Sequence, residues 1–133
     1  AANESLKSAL RAFHARARPI VAECGGMLWL LERLTPLDEA ACPVFGLLAG
    51  EARMEPRLTA LGMQEFELPG GALRGHTFHH ARLDTTAQAS GHATNPRGRG
   101  ATEAVFRDGA LIASFLHWYF PSNPEAMVRL FRS

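Results

Sequence analysis

The chain is poor in lysine, cysteine and tyrosine, and it has no long apolar run. Lys7 is the sole lysine among 133 residues; the basic side chains are scattered arginines, and the net charge is +1. Nothing electrostatic therefore points to nucleic acid or a membrane surface as partner. No stretch approaches the roughly 18 apolar residues of a membrane-spanning helix, and no basic-then-apolar leader opens the chain. Cys24 and Cys42 are too few for a disulfide framework, so both are expected as reduced thiols. The six histidines come without a Cys pair or an HExxH spacing, and a tetrahedral zinc site thus lacks its ligands; no metal is expected.

What is present is an apolar fraction of 47% against 20% charged, which fits a globular domain and excludes disorder. The length suits one domain spanning 1–133, and the chain opens directly in helical pattern, which predicts a piece of something longer. Leu6, Leu10, Phe13 and Ala17 recur at helical spacing behind Asn3, a good N-cap, so residues 3–17 are expected as an amphipathic helix. Ile20-Val21-Ala22 is short and uniformly apolar, as in a buried strand of the parallel type. Gly25-Gly26 then leads into Met27, Leu28, Leu30, Leu31 and Leu34, the apolar face of a second helix. This helix–strand–turn–helix order marks α/β architecture.

The second half reads as antiparallel strands. Segments 44–54 and 58–68 are joined through Glu55-Pro56-Arg57, and Pro69-Gly70-Gly71 turns into a strand from Leu73 to Leu83. Residues 88–100 are polar and glycine-rich, as in a mobile surface loop. A hairpin pairs Thr102–Phe106 with Leu111–Leu116 around Asp108-Gly109, and 124–132 closes the chain as a helix with Pro124 in its first turn.

Cys24 lies where the first strand turns into the second helix. A side chain at such a turn points outward, and the helix start aims free N–H groups and its positive end at it, which favours a thiolate nucleophile. The glycines behind it let a substrate approach, and the Gly25 amide can donate to an oxyanion. The competing reading makes Cys24 a small buried hydrophobe, and the stretch alone leaves both open. A nucleophilic cysteine needs a base, and His117, at the end of the apolar strand LIASFL, is placed to meet it across the sheet. In RGHTFHH, strand alternation sets His76, Phe78 and His80 on one face and Thr77 and His79 on the other. Arg74 and these histidines could receive carboxylates.

Three blocks, AECGGMLWL at 22–30, RGHTFHH at 74–80 and ASFLHWYFPSNP at 113–124, together resemble the class I glutamine amidotransferase domain of the cobyrinic acid a,c-diamide synthase family. The resemblance implies a flavodoxin-like α/β fold, a mixed sheet flanked by helices and lacking its first strands. It assigns Cys24 as glutaminase nucleophile, His117 as its base and Gly25 to the oxyanion site. It implicates Arg74, Gly75, His76 and His79 in corrinoid or domain contact. Glutamine is the implied substrate, in cobalamin biosynthesis in the cytoplasm; this chain needs no cofactor, while ATP and Mg²⁺ belong to a synthetase domain upstream, with the rest of the oxyanion hole. Homodimerisation stays open. The family's usual orienting glutamate, two residues past the histidine, is here Tyr119, so a Cys–His dyad is implied. The alternatives are a catalytically silent docking module of the same fold and a cysteine amidohydrolase acting on another amide.

Overall fold

A computed structural model describes residues 3–98, 100 and 102–132. Helix α1 (Glu4–Ala15) starts at Asn3, whose side-chain oxygen accepts the Leu6 N–H at 3.0 Å. Strand β1 (Ile20–Glu23) and helix α2 (Gly25–Leu30) follow, then β2 (Arg33–Thr35), β3 (Cys42–Pro43) and β4 (Glu51–Met54). Next come the long strands β5 (Ala60–Leu68) and β6 (Gly71–His79), the short β7 (Ala81–Asp84) and β8 (Gly91–Ala93), and the hairpin β9 (Glu103–Asp108) and β10 (Leu111–Ser114). Strand β11 (Leu116–Trp118), a single turn at Phe120–Ser122 and helix α3 (Pro124–Leu130) end the chain. No helix among the described residues is long and apolar enough to cross a membrane.

The strands form three sheets: β1-β10-β9-β8 and β3-β2-β4-β7 are mixed in direction, and β11-β6-β5 is antiparallel. β1 runs parallel to β10, as its uniform apolarity predicts, and β10 runs antiparallel to β9. Strand β10 is buried throughout because its alternation feeds two cores. Leu111 and Ala113 pack with Met27, Leu31 and Phe45, while Ile112 packs with Leu73, Val105 and Met127. The chain kinks at Phe115, where the Ser114 hydroxyl accepts the Leu116 N–H, and β11 thereby leaves the first sheet to join β6 in the second.

Several expected boundaries moved. Helix α2 stops at Leu30 although the apolar spacing continues to Leu34, because the 44–48 segment takes its last carbonyls. Phe45 N–H donates to Trp29, Leu47 and Leu48 N–H to Leu30, and Gly46 N–H to Leu31. Leu31 is extended, and Leu34 lies in β2. Of the expected strand 44–54 only Glu51–Met54 forms, and it does not pair with β5: β4 lies between β2 and β7, whereas β5 pairs with β6. The strand expected from Leu73 to Leu83 breaks at His80. The expected loop 88–100 contains β8, pinned by fully buried Ala93 and by reciprocal backbone bonds between Glu65 and Thr94; Arg99 lies outside the described residues. At the C-terminus Asn123 caps α3 by accepting the Ala126 N–H, and its amide donates to the carbonyls of Gly70 and Ala72. This one side chain fixes α3 to the β5–β6 hairpin.

Candidate active site

Cys24 sits at the junction of β1 and α2 with φ 46° and ψ −110°. A residue with a Cβ is forced into that region at a cost of about 1–3 kcal/mol, and it stays there only when its surroundings over-determine it. They do so here. The Cys24 N–H donates to the Ser114 carbonyl at 2.9 Å, which ends the β1–β10 ladder, and the Cys24 carbonyl accepts from Met27 and Leu28, which begins α2. The side chain is half-buried rather than enclosed, and its thiol points to the Phe78 carbonyl, 3.9 Å away. Cys42 is exposed on β3, its thiol against the Leu34 carbonyl.

The expected thiolate is not what the surroundings favour. Burial pushes the Cys24 thiol above its ordinary value of 9.0; a hydrogen bond from the Gly25 N–H opposes this, and the Glu103 and Glu23 carboxylates add to it. Helix α2 has only six residues, so the pull at its N-terminus is outweighed by desolvation and two negative charges. Cys24 therefore rests as a thiol, and without a base its reactivity must follow hydroxide. Alkylation of Cys24 by iodoacetamide is expected to rise about tenfold per pH unit through pH 8 and to keep rising past pH 9, since only the thiolate reacts. A rate that levels off below pH 8, read by mass spectrometry of the Cys24 peptide, would contradict the raised value.

His117 lies on β11 opposite His76 of β6, and the two imidazoles stack with centroids 5.0 Å apart. Among the described residues no hydrogen bond joins the His117 ring to the Cys24 thiol or to Tyr119, which is 61% exposed. What links the two segments is a bond between their chain neighbours. The Glu23 carboxylate, one residue before Cys24, accepts the N–H of Trp118, one residue after His117, at 2.7 Å. Ser114, fully buried, holds the same corner, because its carbonyl takes the Cys24 N–H and its hydroxyl donates to Ala104. The space beside Gly25 is open, with no atom within 4 Å of where a Cβ would stand.

In β6 the expected alternation is present: Arg74, His76 and Phe78 are exposed, while Leu73, Gly75, Thr77 and His79 face inward. Arg74 pairs with Glu65 at 3.0 Å, and His76 lies in a row with His117 and Met63 across the sheet. Gly75 and His79, grouped in the sequence reading with substrate or domain contact, are turned away from that surface. A Cβ on Gly75 would stand 2.5 Å from the His117 carbonyl oxygen, so this glycine is what allows β11 to approach. His79 is buried and stacked on Phe115 at 3.8 Å; its Nδ1 lies 2.9 Å from the Ala81 carbonyl and its Nε2 3.0 Å from Glu103. A carbonyl only accepts, so Nδ1 carries a proton, and Nε2 and Glu103 Oε1 share one more. The same oxygen accepts the Thr77 hydroxyl at 2.8 Å. Among the described residues no group of three or more His, Cys, Asp or Glu side chains could hold a metal.

Reading the sequence by itself missed Glu23, Ser114 and Glu103. The first two stand inside the blocks AECGG and ASFLH, and that adjacency was the available signal. Glu103 gave none, since its partners Thr77 and His79 lie 26 and 24 residues away.

A thiol held on a strained strand-to-helix turn within a mixed α/β fold has the form of a nucleophile elbow, and the family match makes the domain one of the class I glutamine amidotransferase type. The chain belongs to the CobB/CobQ-like glutamine amidotransferase domain family, whose model matches residues 1–125. It is 51% identical over 128 residues to a hydrogenobyrinate a,c-diamide synthase of Pseudomonas aeruginosa, covering 96% of this chain and 29% of that protein. It is 49% identical over 130 residues to the protein of the same name from Stutzerimonas stutzeri, covering 98% and 30%. A cobyrinate a,c-diamide synthase of Herminiimonas arsenicoxydans is 38% identical over 125 residues, covering 94% and 28%. The chain thus spans less than a third of the length of these relatives.

Proposed function

We propose that the chain supplies ammonia, by hydrolysing glutamine, to an ATP-dependent cobyrinic or hydrogenobyrinic acid a,c-diamide synthase acting in the cytoplasm. The observation that carries this reading is Cys24 at positive φ on the β1–α2 turn, with His117 tied to it through the Glu23–Trp118 bond. A free nucleophilic thiol also suits a reducing compartment.

In the proposed reaction His117 takes the Cys24 proton as sulfur bonds to the glutamine amide carbon, and the Gly25 N–H, already directed at the sulfur, donates to the oxyanion. The C–N bond then breaks and His117 returns the proton to the departing ammonia. Water, deprotonated by His117, hydrolyses the thioester, which releases glutamate and restores the thiol. The raised Cys24 value makes the base necessary, because the thiol arrives protonated. ATP and Mg²⁺ would be held outside these residues, where they activate corrinoid carboxylates for amidation. The exposed face of β5 and β6, with Leu61 at 69%, Met63 at 57% and Phe78 at 50% exposure beside Arg74 and His76, supports a contact surface for the synthetase portion or its corrinoid.

The test is trapping with the glutamine analogue 6-diazo-5-oxo-L-norleucine, followed by intact mass and peptide mapping. One label on Cys24 is expected, absent in Cys24→Ser and slowed at least 100-fold at pH 7 in His117→Ala, the span of one general acid–base group being about 10²–10⁴. A docking module would leave Cys24 unlabelled, and equal labelling with analogues of other amides would favour a different amidohydrolase.

A further inference from the structure

We propose that Glu23 is the positioning residue of the Cys24–His117 pair, taking over from the side of the nucleophile the part that an acid beside the histidine would otherwise play. The proposal rests on the glutaminase reading above. Tyr119, where such an acid would stand, projects to solvent, and no acid contacts the His117 ring among the described residues. The imidazole must then take its place from its backbone. On one side that backbone is held by β6, through the His117–His76 register and the close passage of Gly75. On the other side β1 and β11 belong to different sheets, so no strand ladder joins them.

The Glu23 side chain fills that gap. Its Oε1 accepts the Trp118 N–H at 2.7 Å across 95 residues of sequence, a short charge-assisted bond of the kind that fixes geometry. Cys24 is the next residue on one side of this bond and His117 on the other, so a shift of either stretches it. The bond is part-buried, and Glu23 lines a groove of about 560 Å³ with Leu6, Leu10, Ile20, Trp29 and Phe45. A carboxylate placed in such a wall is costly unless it is bonded. Its charge also contributes to holding the Cys24 thiol protonated, consistent with a nucleophile that waits for its base.

The experiment measures the maximal inactivation rate and half-saturating concentration of 6-diazo-5-oxo-L-norleucine at Cys24, alongside iodoacetamide alkylation at pH 10, where no base is required. Glu23→Ala is expected to lower the maximal rate at least tenfold at pH 7, with half-saturation within twofold and alkylation at pH 10 undiminished, since losing the Glu23 charge favours the thiolate. Glu23→Gln keeps the accepting oxygen and is expected within threefold of the wild type. If Glu23→Ala does not fold, Glu23→Asp, whose carboxylate is one methylene short of Trp118, is expected to show the same loss of rate. Wild-type rates in Glu23→Ala or Glu23→Asp, a Glu23→Gln loss as deep as that of alanine, or parallel losses in the pH 10 alkylation would each overturn the proposal. An unlabelled wild type would instead overturn the glutaminase reading on which it rests.

Discussion

Replacing Glu103 with alanine is expected to destabilise the domain by about 3 kcal/mol or more, because it leaves one half of a buried pair without its partner. Glu103 Oε1 accepts from the Thr77 hydroxyl and faces His79 Nε2, and both His79 and Glu103 are under 10% exposed, at 7% and 8%. Alanine removes both bonds at once and opens a cavity beside the Phe115 stack. For a chain of this size the melting temperature should fall by roughly 10 °C, read by circular dichroism. Glu103→Gln, which keeps an accepting oxygen for Thr77, should lose less than half of that. A melting temperature within 2 °C of wild type for the alanine variant would show that the pair contributes nothing net. The same substitution removes one of the charges that raise the Cys24 thiol, so in the folded fraction the alkylation profile of Cys24 should move to lower pH.

The Gly75→Ala variant is expected to lose Cys24 labelling by the glutamine analogue by roughly 100-fold, the effect of moving a reacting group by about 1 Å. The added methyl would meet the His117 carbonyl oxygen at 2.5 Å, the His117 carbonyl carbon at 3.2 Å and Trp118 Cα at 3.3 Å, all backbone atoms of β11. Backbone held in a ladder yields only by moving the strand, and that strand carries His117 and receives the Glu23 bond. The overpacking should also cost about 1–3 kcal/mol, seen as a lower melting temperature. Labelling at the wild-type rate would mean that β11 can shift without moving the imidazole relative to the thiol.

Parts of this site were legible in one dimension because their signals are local. The period-2 pattern of RGHTFHH set His76 and Phe78 on one face and Thr77 and His79 on the other, as found, since alternation is a property of the strand itself, whereas His80, grouped with the first pair, lies past the end of β6. Asn3 as an N-cap and Pro124 in a first turn announced helix starts by chemistry that acts within one turn. Gly75 was visible as a glycine inside a strand, but the residue whose backbone it accommodates lies 42 positions later, so the passage it gives β11 left no local signal. The end of α2 was misplaced because the groups that take its carbonyls come from 44–48, beyond the reach of any helical periodicity.

The sequence by itself determined the α/β class, the cysteine at the strand-to-helix turn, the histidine after the buried strand and the faces of β6. All of these depend on residue type and spacing within one element or one turn. Only the tertiary structure decided that Cys24 rests protonated, that His79 is committed to Glu103, and that Glu23 bridges to Trp118. Burial and charge at a point are sums over everything folded around it, and no segment of the chain carries that sum in its own residues.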